Sequence, residues 1–426
     1  LLNTVRIFSN DISMEFGLDK CATLTMQRGS VVNTEGINLP NNNIRGLNLE
    51  ESYKYLGILQ ADDIKHVQVK KKATTEYTKR VRKVLKSKLN GGNCIRAINS
   101  WAVPVIRYTA GVVDWTQAEL EDLDRKTRKL MTANHALHPQ SDVDRLYLPR
   151  KAGGRGLLQV RQTVEEEKRA LNDYISSSTE KALKEVAKEE LLKVQDTKAE
   201  YHKQKLKTRI ERWQSKALHG QYIKDIEGKV DCDNTWNWLT NGELKKETEG
   251  FILAAQDQAL RTNAIKAKID KNTEDSKCRL CKEKEETVDH LVSTCSKIAQ
   301  TDYKERHNKV ASMLHWNLCK KYHLPAAEKW WEHKVEKVLQ NEEAKILWDF
   351  KIQTDKHLAH NIPDITVVEK KQVWLVDVAI PGDSRIQQKE VEKITKYQDL
   401  KIEVERPWER KATVISVVIG ALGAIP

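Results

Sequence analysis

The chain has 426 residues, 39% of them hydrophobic and 31% charged, and a formal net charge of +12. That length fits two or three domains, and that apolar fraction excludes a wholly disordered or fibrous chain. The positive balance, with a pI near 9.1, points to a polyanionic partner, nucleic acid first among them.

The seven cysteines divide into four scattered ones, Cys21, Cys94, Cys232 and Cys319, and a cluster of Cys278, Cys281 and Cys295. This pattern argues against a disulfide framework and for a metal site in a reducing compartment. The opening residues do not read as a signal peptide. The longest apolar run, 412–425, is about fourteen residues against the roughly twenty of a spanning helix, so no membrane role is expected. Its β-branched part, Thr413 to Ile419, predicts a buried strand. The start at Leu1 and the stop at Pro426 lead us to expect part of a longer product.

In chain order, residues 1–60 read as short strands and turns. Residues 64–90 read as a basic helix bearing Lys79, Arg80, Arg82 and Lys83, ended by Asn90-Gly91-Gly92. Two helices follow over 93–135, broken near Pro104 and Trp115, then a basic glycine-rich loop at 150–156. Residues 163–216 predict a long charged helical stretch, a linker or an arm. A helix is expected over Ile252–Ala264, more helix over 300–350, and strand, strand, helix, strand over 355–426.

Cys278-x2-Cys281-x8-His290-x4-Cys295 has the spacing of a zinc knuckle. A tight Cys-x-x-Cys turn presents two thiolates, and a following helix can return His290 and Cys295 to close a tetrahedron. Four filled positions make such a site structural. Arg279, Lys282 and Lys284 would leave it basic, with Arg279 and Lys282 the candidate nucleic-acid contacts.

Near the C-terminus, Pro363-Asp364-Ile365-Thr366-Val367-Val368 and Val373-Trp374-Leu375-Val376-Asp377-Val378-Ala379 flank a polar centre, the pattern of a β-hairpin. Asp364 opens one strand and Asp377 falls late on the next, so an antiparallel return brings the two carboxylates together. Such a pair is an oxygen site for Mg²⁺ or Mn²⁺, which phosphodiester hydrolysis requires. On the following helix Lys389, Lys393 and Lys396 share one face, while Glu390, Lys393 and Tyr397 share the next. Lys393 belongs to both sets and is favoured over Lys396 as the cation that offsets transition-state charge.

This arrangement resembles the PD-(D/E)xK nucleases, except that Ala379 stands where their lysine is usual. The restriction-like endonucleases of non-LTR retrotransposons share that departure. Within that resemblance Asp364 and Asp377 match the acidic pair and Lys393 or Lys396 the helical lysine, with His360-Asn361 at the edge. Upstream, Met14-Glu15-Phe16-Gly17-Leu18-Asp19-Lys20-Cys21 looks like the reverse-transcriptase motif whose lysine, here Lys20, serves pyrophosphate departure. Tyr53-Lys54-Tyr55-Leu56-Gly57-Ile58 looks like the primer grip, through Tyr55, Leu56 and Gly57. Ala61-Asp62-Asp63 follows the primer grip instead of preceding Lys20, so Asp62 and Asp63 are expected to form a turn or helix cap, not the polymerase carboxylates.

The whole resembles the C-terminal portion of a non-LTR retrotransposon polyprotein of the Dong-type group. It implies an α+β multidomain chain: end of the reverse-transcriptase palm (1–62), α-helical thumb (63–160), helical linker (161–269), CCHC zinc knuckle (270–300) and an α/β PD-(D/E)xK-like nuclease (301–426). The implied cofactors are structural Zn²⁺ and catalytic Mg²⁺ or Mn²⁺. The implied partners are target DNA and element RNA, with synthesis in the cytoplasm and action in the nucleus. The implied activity is nicking of target DNA for target-primed reverse transcription, with the RNA-directed DNA polymerase core incomplete. The alternatives are an inactive nucleic-acid-binding remnant or domesticated copy, and a helix-rich interaction protein using the 163–216 arm.

Overall fold

The structure, a computed structural model, describes residues 2–14, 17, 20–38, 43–48, 51–61, 63–183, 185 and 196–426. The chain forms two compact units. The first comprises Leu1–Lys88, Cys94–Met131 and Leu158–Gln204; the second comprises Leu89–Asn93, Thr132–Leu157 and Lys205–Pro426.

The first unit opens on a helix, Leu2–Asp11, where short strands were expected. Three small antiparallel hairpins follow: β1 (Thr25–Gln27) with β2 (Ser30–Val32), β3 (Ile37–Asn38) with β4 (Asn43–Ile44), and β5 (Tyr53–Tyr55) with β6 (Ile58–Gln60). Leu56 and Gly57 both take positive φ, 45° and 86°, which gives the two-residue turn that matches strand twist. The basic helix is His66–Leu85, shorter at its C-terminus than expected. It buries Val69, Ala73, Tyr77, Val81, Val84 and Leu85, a stripe repeating at three to four residues.

The expected break at Pro104 is a π-helical turn, Ile98–Ala102, leading into the short helix Val103–Arg107. Proline lacks the amide hydrogen that would bond four residues back, and the wider turn absorbs the loss. Trp115 lies in the second break, before Gln117–Ala133. Asp63 accepts the Ile64 amide, a turn contact; the cap residue of the basic helix is Lys65, and Asp62 lies outside the described residues. The 163–216 stretch is not one arm. It holds the helices Val160–Ser177 and Lys198–Ser215, with 184 and 186–195 outside the described residues. Asp124, 2% exposed, accepts the amides of Val160 and Arg161 and so satisfies the start of the first of these helices. Burial pushes the Asp124 carboxyl up to about 6.

The second unit is built on a five-stranded sheet, ordered β11-β10-β9-β8-β7, where β7 is Val338–Gln340, β8 Ala344–Trp348, β9 Ile365–Glu369, β10 Gln372–Ala379 and β11 Lys411–Val418. Only β10 and β11 run parallel. Two helices, Ile386–Lys396 and Gln398–Trp408, make the crossover where one was expected. β7 and β8 correct the expectation of helix throughout 300–350. Helix there ends at Lys321, and Val338-Leu339-Gln340 alternates exposed, buried, exposed, a strand period hidden among tryptophans.

Side chains of β10 alternate between two cores. Val373 and Leu375 pack with Tyr397, Leu400, Val404 and Ala412 on one face, and Val376 packs with Ile365, Val367, Ile346 and Cys319 on the other. The helix expected over 252–264 is two, Lys246–Gln256 and Asn263–Lys268. Between them Asp257 turns inward to Arg145, and Thr262 caps the next helix through the Ile265 amide.

Arg145 organises this part of the unit. Only 2% exposed, it donates to Asp257 at 2.7 Å, to Gln256, and to the carbonyls of Gly153 and Leu253, and it lies over the rings of Trp213 and Trp236. Removing one partner strands a buried charge. Arg145→Ala and Asp257→Ala should each cost about 3–5 kcal/mol on urea unfolding of this unit, and Arg145→Met with Asp257→Leu well under the sum. Equal additive losses in all three variants would contradict a coupled buried pair.

Candidate functional site

Two constellations in the second unit combine chemistry with burial. The first is the cysteine–histidine cluster. Cys278, Cys281, His290 and Cys295 are all buried, and one donor atom from each lies within 4.8 Å of the others. The Cys278 and Cys295 sulfurs are 3.9 Å apart, and Cys281 Sγ is 3.3 Å from His290 Nε2. Zinc–sulfur bonds of about 2.3 Å in a tetrahedron require sulfur separations of roughly 3.8 Å.

Local sequence builds this geometry. The Cys278 amide bonds the Lys284 carbonyl, Lys282 takes a positive φ of 63°, and the Lys282 amide returns to Cys278, closing a tight knuckle. His290 heads a π-helical turn, His290–Thr294, which ends at Cys295. Its Nδ1 contacts Thr294 Oγ1 at 3.1 Å, which leaves Nε2 for the cluster. Amides of Lys284 and Glu283 hold the Cys281 thiol down to about 6, and burial pushes Cys295 up. The four residues together could hold a metal ion.

Arg279 is less available than its sequence position suggests. Its guanidinium and amide both bond the fully buried Glu286, whose carboxyl is held at about 2: burial raises it, and the bonds from Arg279 and Asn263 outweigh that. Arg279 therefore braces the knuckle from outside. Lys282 is exposed.

The second constellation lies at the ends of β9 and β10. Register pairs Val376 with Ile365, so one further step sets Asp377 opposite Asp364. Asp364 Oδ2 accepts the Val378 amide at 2.7 Å and contacts His307 Nε2 at 3.1 Å. Asp377, 2% exposed, takes the Tyr397 hydroxyl at 2.8 Å on Oδ1, forms an ion pair with Lys393 on Oδ2, and has Lys396 at 3.6 Å. Lys396 Nζ also bonds Tyr397 Oη at 2.9 Å.

Helical spacing therefore brings both lysines to Asp377, and Lys393 makes the closer approach. Lys389 turns away to Glu392. Asn361 accepts the Ile352 amide through its carbonyl, and neither it nor His360 bonds either carboxylate. Burial raises Asp364, but the bonds from His307 and Val378 and the charge on Lys393 outweigh it and hold the carboxyl below its usual range. The same bond raises His307. Burial beside Asp377 pushes the Tyr397 phenol far up.

His307 was not legible in the sequence. It lies 57 residues before Asp364, with no motif joining them. The Tyr397 hydroxyl gave only a helix-face signal.

In the first unit, Tyr53 donates to the Lys20 carbonyl at 2.6 Å, which sets Lys20 beside the Tyr55-Leu56-Gly57 hairpin. Glu15, Phe16, Leu18 and Asp19 lie outside the described residues. On the basic helix, Arg80 is engaged by Glu76 and the Trp101 carbonyl, whereas Lys79, Arg82 and Lys83 are exposed.

No protein-family model matches the sequence, and no curated protein matches it.

The His307–Asp364 pair makes a directional test. A raised histidine contributes stability that is complete below its ordinary 6.5 and is lost as pH rises through the folded value. A depressed carboxylate contributes stability present above its ordinary 3.8 and lost as pH falls through the folded value. The pair's contribution is thus complete between 3.8 and 6.5 and falls away on either side of that window. NMR titration should find His307 above 6.5, and Asp364→Asn should lower it. An unmoved titration would show that Asp364 does not hold the ring.

Proposed function

We propose that this chain is a portion of a non-LTR retrotransposon polyprotein whose second unit carries a metal-dependent DNA-nicking endonuclease. One observation carries the reading: Asp364 and Asp377 meet across a hairpin, and the next helix delivers Lys393 to Asp377. The hard oxygen donors suit Mg²⁺ or Mn²⁺, and Asp377 Oδ2, met by the Lys393 ammonium, keeps a lone pair for a cation. A bound divalent cation would supply Lewis acidity to the scissile phosphate.

The chain's own residues do the rest. Tyr397 fixes Asp377 through one oxygen and is itself anchored to the Ile362 carbonyl at 2.9 Å. Lys393 offers an ammonium that can pass from the carboxylate to a phosphate oxygen as negative charge builds there. His307 occupies one oxygen of Asp364 and must yield it before that oxygen can serve a cation. The cysteine–histidine cluster is read as a structural Zn²⁺ knuckle. The Lys20 segment and the Tyr55-Leu56-Gly57 hairpin support a palm remnant, and the following basic helices a thumb. Net charge of +12 supports DNA and RNA as partners, with action in the nucleus.

The full chain should nick supercoiled plasmid with Mg²⁺ or Mn²⁺. Asp364→Ala with Asp377→Ala should abolish nicking. Lys393→Ala should slow it by about 10²–10³, and Lys396→Ala by less. Full nicking by Lys393→Ala with loss in Lys396→Ala would reverse the lysine assignment. Salt-sensitive DNA binding without nicking would favour the inactive binding remnant.

A further inference from the structure

Three more ligating side chains converge in the second unit, away from both constellations. His315 and Cys319 stand one turn apart on the helix Lys304–Lys321, and His333 follows the short turn Trp330–Glu332. His315 Nδ1 lies 2.9 Å from His333 Nε2 and 3.5 Å from Cys319 Sγ. All three donor atoms lie within 4.8 Å of one another. Tetrahedral zinc, with bonds of about 2.0–2.1 Å to nitrogen and 2.3 Å to sulfur, calls for nitrogen–sulfur edges of roughly 3.6 Å and nitrogen–nitrogen edges of roughly 3.3 Å. The sulfur edge is already met. The nitrogen edge opens by a few tenths of an ångström once a shared hydrogen bond is exchanged for two coordination bonds.

The surroundings favour a ligand role over packing. His315 and Cys319 are fully buried, at 0% exposure each. His315 stacks on His333 and meets Trp348 of β8 edge to face. Its Nε2 is buried with no hydrogen-bond partner.

We propose that His315, Cys319 and His333 form a second metal centre, one that takes a borderline-soft divalent cation of the zinc class. Binding releases the Cys319 thiol proton to solvent and leaves a thiolate on the ion. The centre ties the 304–321 helix to the 330–333 turn. That helix carries His307, Ala311, His315 and Cys319 in one stripe at intervals of four, so it would also fix the ring that contacts Asp364. The proposal does not rest on the nuclease reading.

The test uses the full chain, stripped with chelator and titrated with Zn²⁺ and Co²⁺. Wild type should take up two equivalents, one per cluster. Cys278→Ser with Cys281→Ser should retain one, with tetrahedral Co²⁺ absorption and a thiolate charge-transfer band. Adding Cys319→Ser should abolish that band. His333 is half-buried and outside regular structure, so His333→Gln should leave the fold intact by circular dichroism and weaken the remaining site about tenfold or more. It decides the matter if Cys319→Ser does not fold. A folded Cys278→Ser, Cys281→Ser chain that binds no Co²⁺ would overturn the proposal. So would Co²⁺ uptake that His333→Gln leaves unchanged.

Discussion

The second unit depends on how it accommodates Asp377. A carboxylate with 2% exposure in a central strand needs compensation from every direction the core allows. Lys393 and Lys396 reach it from the last turns of one helix. Tyr397 reaches it from the junction, where φ −109° and ψ 14° end that helix and let the next begin. One buried charge thus couples hairpin register, crossover length and helix break. A slip of β10 by one residue would turn Asp377 toward Ile346, Ile365 and Val367, where no cation waits.

What was legible in the sequence was local. The hairpin showed because two apolar, β-branched runs flank a polar turn. The lysine face showed because positions four and three apart share a helix surface. The cysteine–histidine cluster showed because its four ligands span only 278–295. What escaped was non-local or masked. His307 meets Asp364 across 57 residues, and Arg145 meets Asp257 across 112. The β7–β8 hairpin was hidden because Trp330, Trp331 and Trp348 blur the alternation. The break at Asp257 follows from its inward ion pair, a tertiary demand that overrides a good helical run.

Net charge says less about binding than about what the fold leaves over. Of the chain's basic residues, Arg145, Arg150, Arg155 and Arg279 are committed to buried carboxylates, and Arg80 to Glu76 and Trp101. Glu249 alone takes Arg150 and Arg155. These arginines suit internal duty because a planar guanidinium can bond a carboxylate and several carbonyls at once. Exposed lysines such as Lys79, Lys83 and Lys282 hold only a compact, well-hydrated charge. A polyanion would therefore meet mainly what packing did not use, and single-sequence charge counting overstates the arginine share.

Asp364 already holds His307, and Asp377 already holds Lys393. With His307 protonated, three cations, His307, Lys393 and Lys396, face the two carboxylates. A divalent cation entering the constellation competes with a proton on His307 and with the Lys393 ammonium. Raising pH removes the first competitor, because the ring loses its charge above its elevated pKa. Phosphate removes the second, because it offers Lys393 another anion. These cations explain how the buried Asp377 and the half-buried Asp364 can stand side by side without metal or substrate.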